Sequence, residues 1–167
     1  MKIPLRVIPL RLLTAVLGLC LSVVLSGAQP GTKKVLTLEL AKEIAAAAEG
    51  EARKNNWNVV IAILDDGGNL VYLQRMDETQ IGSIDVAQEK ARSAVLFKRP
   101  TKAFEDAVAG GRTAIVKLPG AMPVEGGLPI MLEGKVIGGI GVSGVTSQQD
   151  GQIGKAALDA LPKIISK

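Results

Sequence analysis

The chain has 167 residues, with 20 basic and 16 acidic side chains, no histidine and one cysteine. The absence of histidine excludes Ser-His-Asp and Cys-His catalysis, and a single cysteine cannot build a zinc site of the Cys/His kind. One Trp, one Tyr and two Phe are too few for the basic, aromatic surface that single-stranded nucleic acid requires. We therefore predict no nucleic-acid partner and no metal site, with a site built from oxygen ligands alone as the alternative.

The first 28 residues have the pattern of an export signal. They hold three basic and no acidic residues, and an uncharged apolar run at 12–25 ends in the small residues 26–28. We predict cleavage after Ala28 and a periplasmic or secreted protein, with an uncleaved membrane anchor as the alternative. Removing this segment lowers the net charge from +4 to +1, because 17 basic and 16 acidic residues remain.

The remaining 139 residues fit one domain with a sizeable core. A stretch rich in Pro, Gly and Lys at 29–35 is predicted as a flexible leader, and 36–167 as the single domain. Thr37 can cap a helix that runs to about Asn55. The apolar face of this helix is nearly all alanine, which suits close packing against a sheet.

Two pairs of short apolar runs predict two β-hairpins. The first joins strands at 58–64 and 70–76 through the polar turn 65–69. The second joins strands at 128–132 and 136–143 through the turn "EGK". Both loops are short, so each pair is predicted to lie side by side and antiparallel.

Helices are predicted between the hairpins and after them. Ser83 can cap a helix that ends before Pro100, and the other predicted segments are a short helix from Thr101 to Gly110, an irregular stretch at 112–127 and a closing helix at 149–165. The order is α-β-β-α-α-β-β-α. Two hairpins in one antiparallel sheet covered by helices define an α+β fold.

The glycines Gly139, Gly141 and Gly144 match the dinucleotide-binding pattern G-x-G-x-x-G. That pattern binds a dinucleotide within a βαβ unit, with an acidic residue at the end of the next strand. Here the preceding strand belongs to a hairpin, and one predicted helix follows. We therefore predict no NAD site and expect these glycines to let a helix or a neighbouring subunit approach the strand closely.

Several linked stretches together resemble one known family. They are "LTLELA", "VVIAILDDGGNLVYLQRMD", "GSIDVAQEKARSAVLFKRPT", "EGGLPI" and "VIGGIGVSG" followed by "QQD". In this order and spacing they resemble the GlcG/HbpS family, which includes the C-terminal domain of PduO-type proteins, over about residues 36–162. The resemblance implies an α/β sandwich assembled as homo-oligomers from dimer to octamer. It also implies a non-catalytic accessory protein that binds haem or a tetrapyrrole. An exported relative serves a sensor protein, which implies a sensor partner here.

The resemblance implies a ligand site as well. Many relatives have His where Asn69 stands, so haem bound here would lack a histidine ligand. A hydroxyl at the position of Ser93 is implicated in haem contact in the family. The helical period places Lys90 and Arg92 on the polar side of the second helix. The cations that could pair with haem propionates by charge-assisted hydrogen bonds are Lys90, Arg92, Lys98 and Arg99.

Three further features are candidates for binding or chemistry. Met76 could contact a ligand or, alternatively, belong to the core or an interface. Gly126 and Gly127 suggest a close backbone approach, either across a subunit interface or to a ligand. Arg75 could hold a carboxylate and Asp77 could act as general base in an enzyme for small hydroxy- or oxo-acids. The alternative for that pair is an ion pair that fixes the loop.

Overall fold

The computed structural model describes residues 30–166. The predicted export signal and Gln29 lie outside the described residues. Residues from Lys34 onward belong to one compact unit, and residues 30–37 form neither helix nor strand. Within the described range, no helix combines the length and the apolar character that crossing a membrane would need.

Four strands form one antiparallel sheet in the order β2-β1-β4-β3. The strands are β1 (Val60–Asp65), β2 (Leu70–Arg75), β3 (Gly127–Leu132) and β4 (Lys135–Ser143). Both predicted hairpins are present, and the two inner strands join them through pairs running from Val60↔Ser143 to Asp65↔Gly138. The predicted α+β fold with a single antiparallel sheet is confirmed.

The helices are α1 (Leu38–Lys54), α2 (Ser83–Phe97), α3 (Lys102–Ala109), α4 (Ser147–Asp159) and α5 (Leu161–Ile165), with a 3-10 turn at Thr113–Lys117. This turn lies in the stretch that the sequence predicts as irregular. The predicted closing helix is two helices that meet at Ala160. The break has a local cause, because Pro162 has no N–H to continue the hydrogen-bond ladder of α4.

The first residues of α1 and α2 differ in capping, because a side chain caps α1 and none caps α2. Thr37 caps α1 as predicted, since its hydroxyl accepts a hydrogen bond from the Leu40 N–H. The prediction that Ser83 caps α2 is wrong, because Gly82 is the N-cap and no side chain caps this end. The Ser83 hydroxyl lies instead 3.2 Å from the Ser143 hydroxyl on β4. Ser83 is the first residue of the helix and does not occupy the N-cap position, so its hydroxyl is not placed to cap the free N–H groups of α2.

The sheet separates two packed layers. On one face, β1 places Ile61 and Ile63 in the main core with α1 and α4, and on the other face Val60, Ala62 and Leu64 pack against α2. This alternation follows from the two-residue period of a strand. Both faces of β1 are therefore covered, which explains its unbroken apolar sequence.

Glycines on β4 bring α2 unusually close to the sheet. A Cβ built on Gly141 would lie 1.9 Å from the Ala87 carbonyl oxygen, and one on Gly139 would lie 2.8 Å from that of Ala91. No side chain fits at either position. The expectation that these glycines admit a helix is confirmed for Gly139 and Gly141, and the helix is α2 of the same chain. It is wrong for Gly144, where an added Cβ would lie 2.4 Å from the Asn58 carbonyl oxygen, just before β1.

Candidate functional site

Lys90 does not lie on the polar side of α2, and that prediction is wrong. Its side chain is 1% exposed, and its Nζ donates to Asp150 Oδ2 at 2.7 Å and to the Val142 carbonyl oxygen at 3.0 Å. A buried ammonium is tolerated when it is paired and hydrogen-bonded in this way. All of its described partners belong to the protein interior, so the structure does not present Lys90 to a ligand.

Ser93 is also fully buried. Its Oγ accepts a hydrogen bond of 3.0 Å from the Met122 N–H and so ties the segment before β3 to α2. The predicted ligand role of Ser93 stays a prediction, and in this conformation the hydroxyl has a structural partner instead.

Arg92 lies against the β1–β2 turn and has an unsatisfied donor. Its aliphatic stem packs on Gly68, where an added Cβ would lie 3.5 Å from Arg92 Cγ. The Arg92 Nε is buried without a hydrogen-bond acceptor, and the nearest ion-pair partner, Glu89 Oε1, is 3.5 Å away. The turn itself is held by Asp65, whose carboxylate accepts from the Asn69 backbone and side-chain amides. Buried N–H groups in folded proteins nearly always have a hydrogen-bond acceptor, so the Arg92 Nε is an exception.

A cleft adjoins this end of the sheet, between α2, the β1–β2 turn and the β3–β4 hairpin. We call it the basic cleft. Its volume is about 390 Å³, and its lining residues are Asp66, Val95, Lys98, Met131, Gly134, Lys135 and Val136. Two exposed lysines, Lys98 and Lys135, line it together with one acidic residue, Asp66, and with apolar side chains. Such a cleft suits a flat apolar ligand that carries carboxylates.

The other predicted contact residues are not gathered there. Arg99 is exposed, and its guanidinium lies 5.7 Å from the centre of the Phe104 ring, toward α3. Met76 is 7% exposed and packs in the main core, which was its alternative interpretation. The sequence predicts no role for Lys135, because only the folded sheet brings it into one cleft with Lys98.

Arg75 and Asp77 lie at the end of β2 and are both exposed. A general base for the proposed enzyme would need a closed, water-poor pocket that tunes its protonation. An exposed Asp77 does not meet this requirement, so the structure does not favour the enzymatic alternative.

The close approach predicted at Gly126 and Gly127 is made within the chain. A Cβ on Gly127 would lie 2.2 Å from the Lys90 carbonyl oxygen, and one on Gly126 would lie 2.8 Å from Lys90 Nζ. Gly126 also has a φ of +126°, a conformation that only glycine adopts readily. The buried Lys90–Asp150 pair therefore explains these glycines without a subunit or a ligand.

A second cleft opens beside these glycines, between the start of α3, the start of β3 and α4. We call it the glycine cleft. Its volume is about 300 Å³, and its lining residues are Pro100, Lys102, Glu125, Gly126, Gly127, Leu128, Gly151 and Lys155. Burial raises the pKa of the Glu125 carboxyl, and the negative charges of Glu105 and Asp106 add to this effect. Among the described residues, no group of three or more His, Cys, Asp or Glu side chains is arranged to hold a metal ion.

Comparisons with known proteins agree with this fold. Protein GlcG of Escherichia coli K12 is 48% identical over 112 residues, which is 67% of this chain and 84% of that protein. A double mutant of HbpS from Streptomyces reticuli superposes with a TM-score of 0.73 at 32% identity, covering 83% of this chain and 95% of that one. A PduOC:heme complex superposes with a TM-score of 0.70 at 29% identity, covering 76% and 95%.

The model of the HbpS-like family, described as haem degrading protein HbpS-like, matches residues 36–159. The chain belongs to this family, and the resemblance to GlcG and HbpS is confirmed.

Proposed function

We propose that this protein is an exported, non-catalytic accessory protein that binds haem or a related tetrapyrrole in the basic cleft. The observation that carries the proposal is that two exposed lysines, Lys98 and Lys135, line one cleft together with the apolar side chains of Met131 and Val136. The family description and the PduOC:heme complex support the ligand class.

The side chains of the cleft match the chemistry of haem. Met131 and Val136 offer apolar surface to the macrocycle. Lys98 and Lys135 can hold its propionates by charge-assisted hydrogen bonds. The volume falls within the range of about 300–1,000 Å³ that is usual for ligand pockets. Bound haem would supply a redox-active iron.

This proposal moves the site away from Lys90 and Ser93. Both side chains are buried and bonded to other parts of the protein. A ligand that reached either would have to break the Lys90–Asp150 pair or the Ser93–Met122 bond. Lys98 remains from the residues that the family resemblance implied, and Lys135 joins it in the lining of the cleft.

An absorption titration of residues 29–167 with hemin tests the proposal. We expect a saturable, shifted Soret band, and about tenfold weaker binding in the double variant Lys98→Gln, Lys135→Gln, because propionate contacts worth ~1.4 kcal/mol are lost. Lys42→Gln is the matched control, since Lys42 is an exposed lysine on α1. Binding that stays unchanged in the double variant would contradict the site, and a non-saturating signal would contradict the ligand.

Export and assembly are part of the same proposal. Expression of the full chain with recovery of a periplasmic protein that begins at Gln29 would support cleavage after Ala28. We propose a homo-oligomer between dimer and octamer, which light scattering of the mature protein measures directly.

Incubation with hemin and reductant tests the non-catalytic character, and a chromatographic product of haem breakdown would contradict it. We also propose a sensor protein as a partner of this protein, as the family resemblance implies for an exported member.

A further inference from the structure

The glycine cleft contains a carboxylate without a partner. Glu125 is partly buried, and its side chain makes no hydrogen bond or ion pair with any residue in the described part of the chain. Its carboxylate lies flat on α4, where a Cβ built on Gly151 would be 2.4 Å from Glu125 Oε1. Only glycine at this position leaves room for the carboxylate in the wall of the cleft.

The other charged groups around the cleft already have partners. Glu105 accepts hydrogen bonds from the Glu125 N–H and from the Ser147 hydroxyl. Lys102 pairs with Asp106 at 2.6 Å, and Lys155 pairs with Asp159. Lys102 also attracts the Glu125 carboxylate without forming an ion pair with it. Each lysine is paired with a carboxylate of its own helix, whereas Glu105 and Glu125 have no ion pair among the described residues, so the charge left over at the cleft is negative.

We propose that the glycine cleft binds a small organic ammonium compound, with its ammonium group on Glu125 and its apolar body against Pro100 and Leu128. This site is separate from the basic cleft and does not depend on tetrapyrrole binding. The ligand class follows from complementarity, since a cation is favoured beside an unpaired carboxylate and an apolar body fits the remaining wall. The raised pKa of Glu125 agrees with this assignment, because an incoming cation would relieve the cost of its charge.

The test uses isopentylamine as the probe, with isopentanol and isovalerate as neutral and anionic probes of similar shape. Nitrogen-labelled protein is titrated and followed by the amide signals of Gly126, Gly127 and Gly151. We expect saturable shifts with the amine, and at least about tenfold weaker binding of the other two probes. Equal or tighter binding of isovalerate would overturn the proposal, because the lysines would then be the recognition groups.

Two variants act on Glu125 by different routes. Glu125→Gln removes the charge, and Gly151→Ala fills the space under the carboxylate, whose flexible end must then swing away. Both should lower amine affinity at least about tenfold while keeping the fold. Glu39→Gln, which removes an exposed carboxylate on α1, and Gly50→Ala, where an added Cβ meets nothing within 4 Å, are the controls.

A second copy of the chain is the competing occupant of the cleft. If a copy donated a cation to Glu125, Glu125→Gln would dissociate the oligomer, and light scattering at several protein concentrations would show it. That result would overturn the proposal. Loss of amine binding with an unchanged oligomer size supports it.

Discussion

The Nζ of Lys90 lies 2.7 Å from Asp150 Oδ2, with side chains that are 1% and 2% exposed. The pair connects α2 on one face of the sheet with α4 on the other, and it passes beside Gly126. Burial raises the pKa of the Asp150 carboxyl, although the Lys90 ammonium opposes that shift. The two charges hold the layers together only as a pair, since either one alone would be a desolvated ion.

Breaking this pair should be strongly destabilising. We expect Asp150→Asn to lower the free energy of unfolding by about 3–5 kcal/mol, measured by urea denaturation, because Lys90 would keep a buried charge. The double variant Lys90→Met, Asp150→Leu should recover much of the loss. Lys155→Met breaks an exposed pair with Asp159 and should cost less than about 1 kcal/mol. Equal effects in Asp150→Asn and Lys155→Met would contradict the assigned role.

Gly141→Ala should damage the α2–sheet contact. The added Cβ would lie 1.9 Å from the Ala87 carbonyl oxygen and 2.6 Å from the Ala91 nitrogen, so the helix must move off the sheet. We expect a loss of at least about 2 kcal/mol in thermal or urea unfolding, at the high end of overpacking effects. Gly50→Ala is the matched control inside α1 and should stabilise by about 0.5–1 kcal/mol. A tolerated Gly141→Ala would show that α2 can shift freely.

The elements were predictable because their signals are local. The alternating or continuous apolar runs of β1 and β4, and the short turns between paired strands, need no knowledge of the rest of the chain. The pairing of β1 with β4 is different, because it joins segments far apart in the sequence. The basic cleft depends on that pairing, so Lys135 could not be placed opposite Lys98 from the sequence.

The orientation of Lys90 could not be predicted for a related reason. Helical periodicity assigns a charged residue to the solvent face unless an interior partner is known. Its partner Asp150 lies 60 residues further along, in the first turn of α4. The nearest sequence signal is the glycine pair at 126–127, which makes room for Lys90, but the pattern alone equally fits a subunit interface or a ligand contact.

Glu125→Gln should stabilise the protein at neutral pH. The folded-state pKa of Glu125 is raised, so between the unfolded and folded pKa values the folded protein binds more protons and stability falls as pH rises. Glutamine mimics the uncharged acid and removes this penalty. We expect a higher melting temperature than wild type at about pH 7 and no difference at about pH 4, below both pKa values. A lower melting temperature at neutral pH would mean that the attraction of Lys102 and Lys90 for this carboxylate outweighs the cost of burying its charge.

Metal-free protoporphyrin should bind the basic cleft nearly as well as hemin. The sequence has no histidine, its single cysteine lies at position 20, and of the residues that line the cleft only Met131 carries a soft donor. If the macrocycle and propionates provide the affinity, removing the iron should change the dissociation constant by less than about tenfold, or ~1.4 kcal/mol. Fluorescence titration with protoporphyrin and absorption titration with hemin give the two constants. Met131→Leu should leave both unchanged, and a selective loss of hemin binding in that variant would show that the thioether ligates the iron.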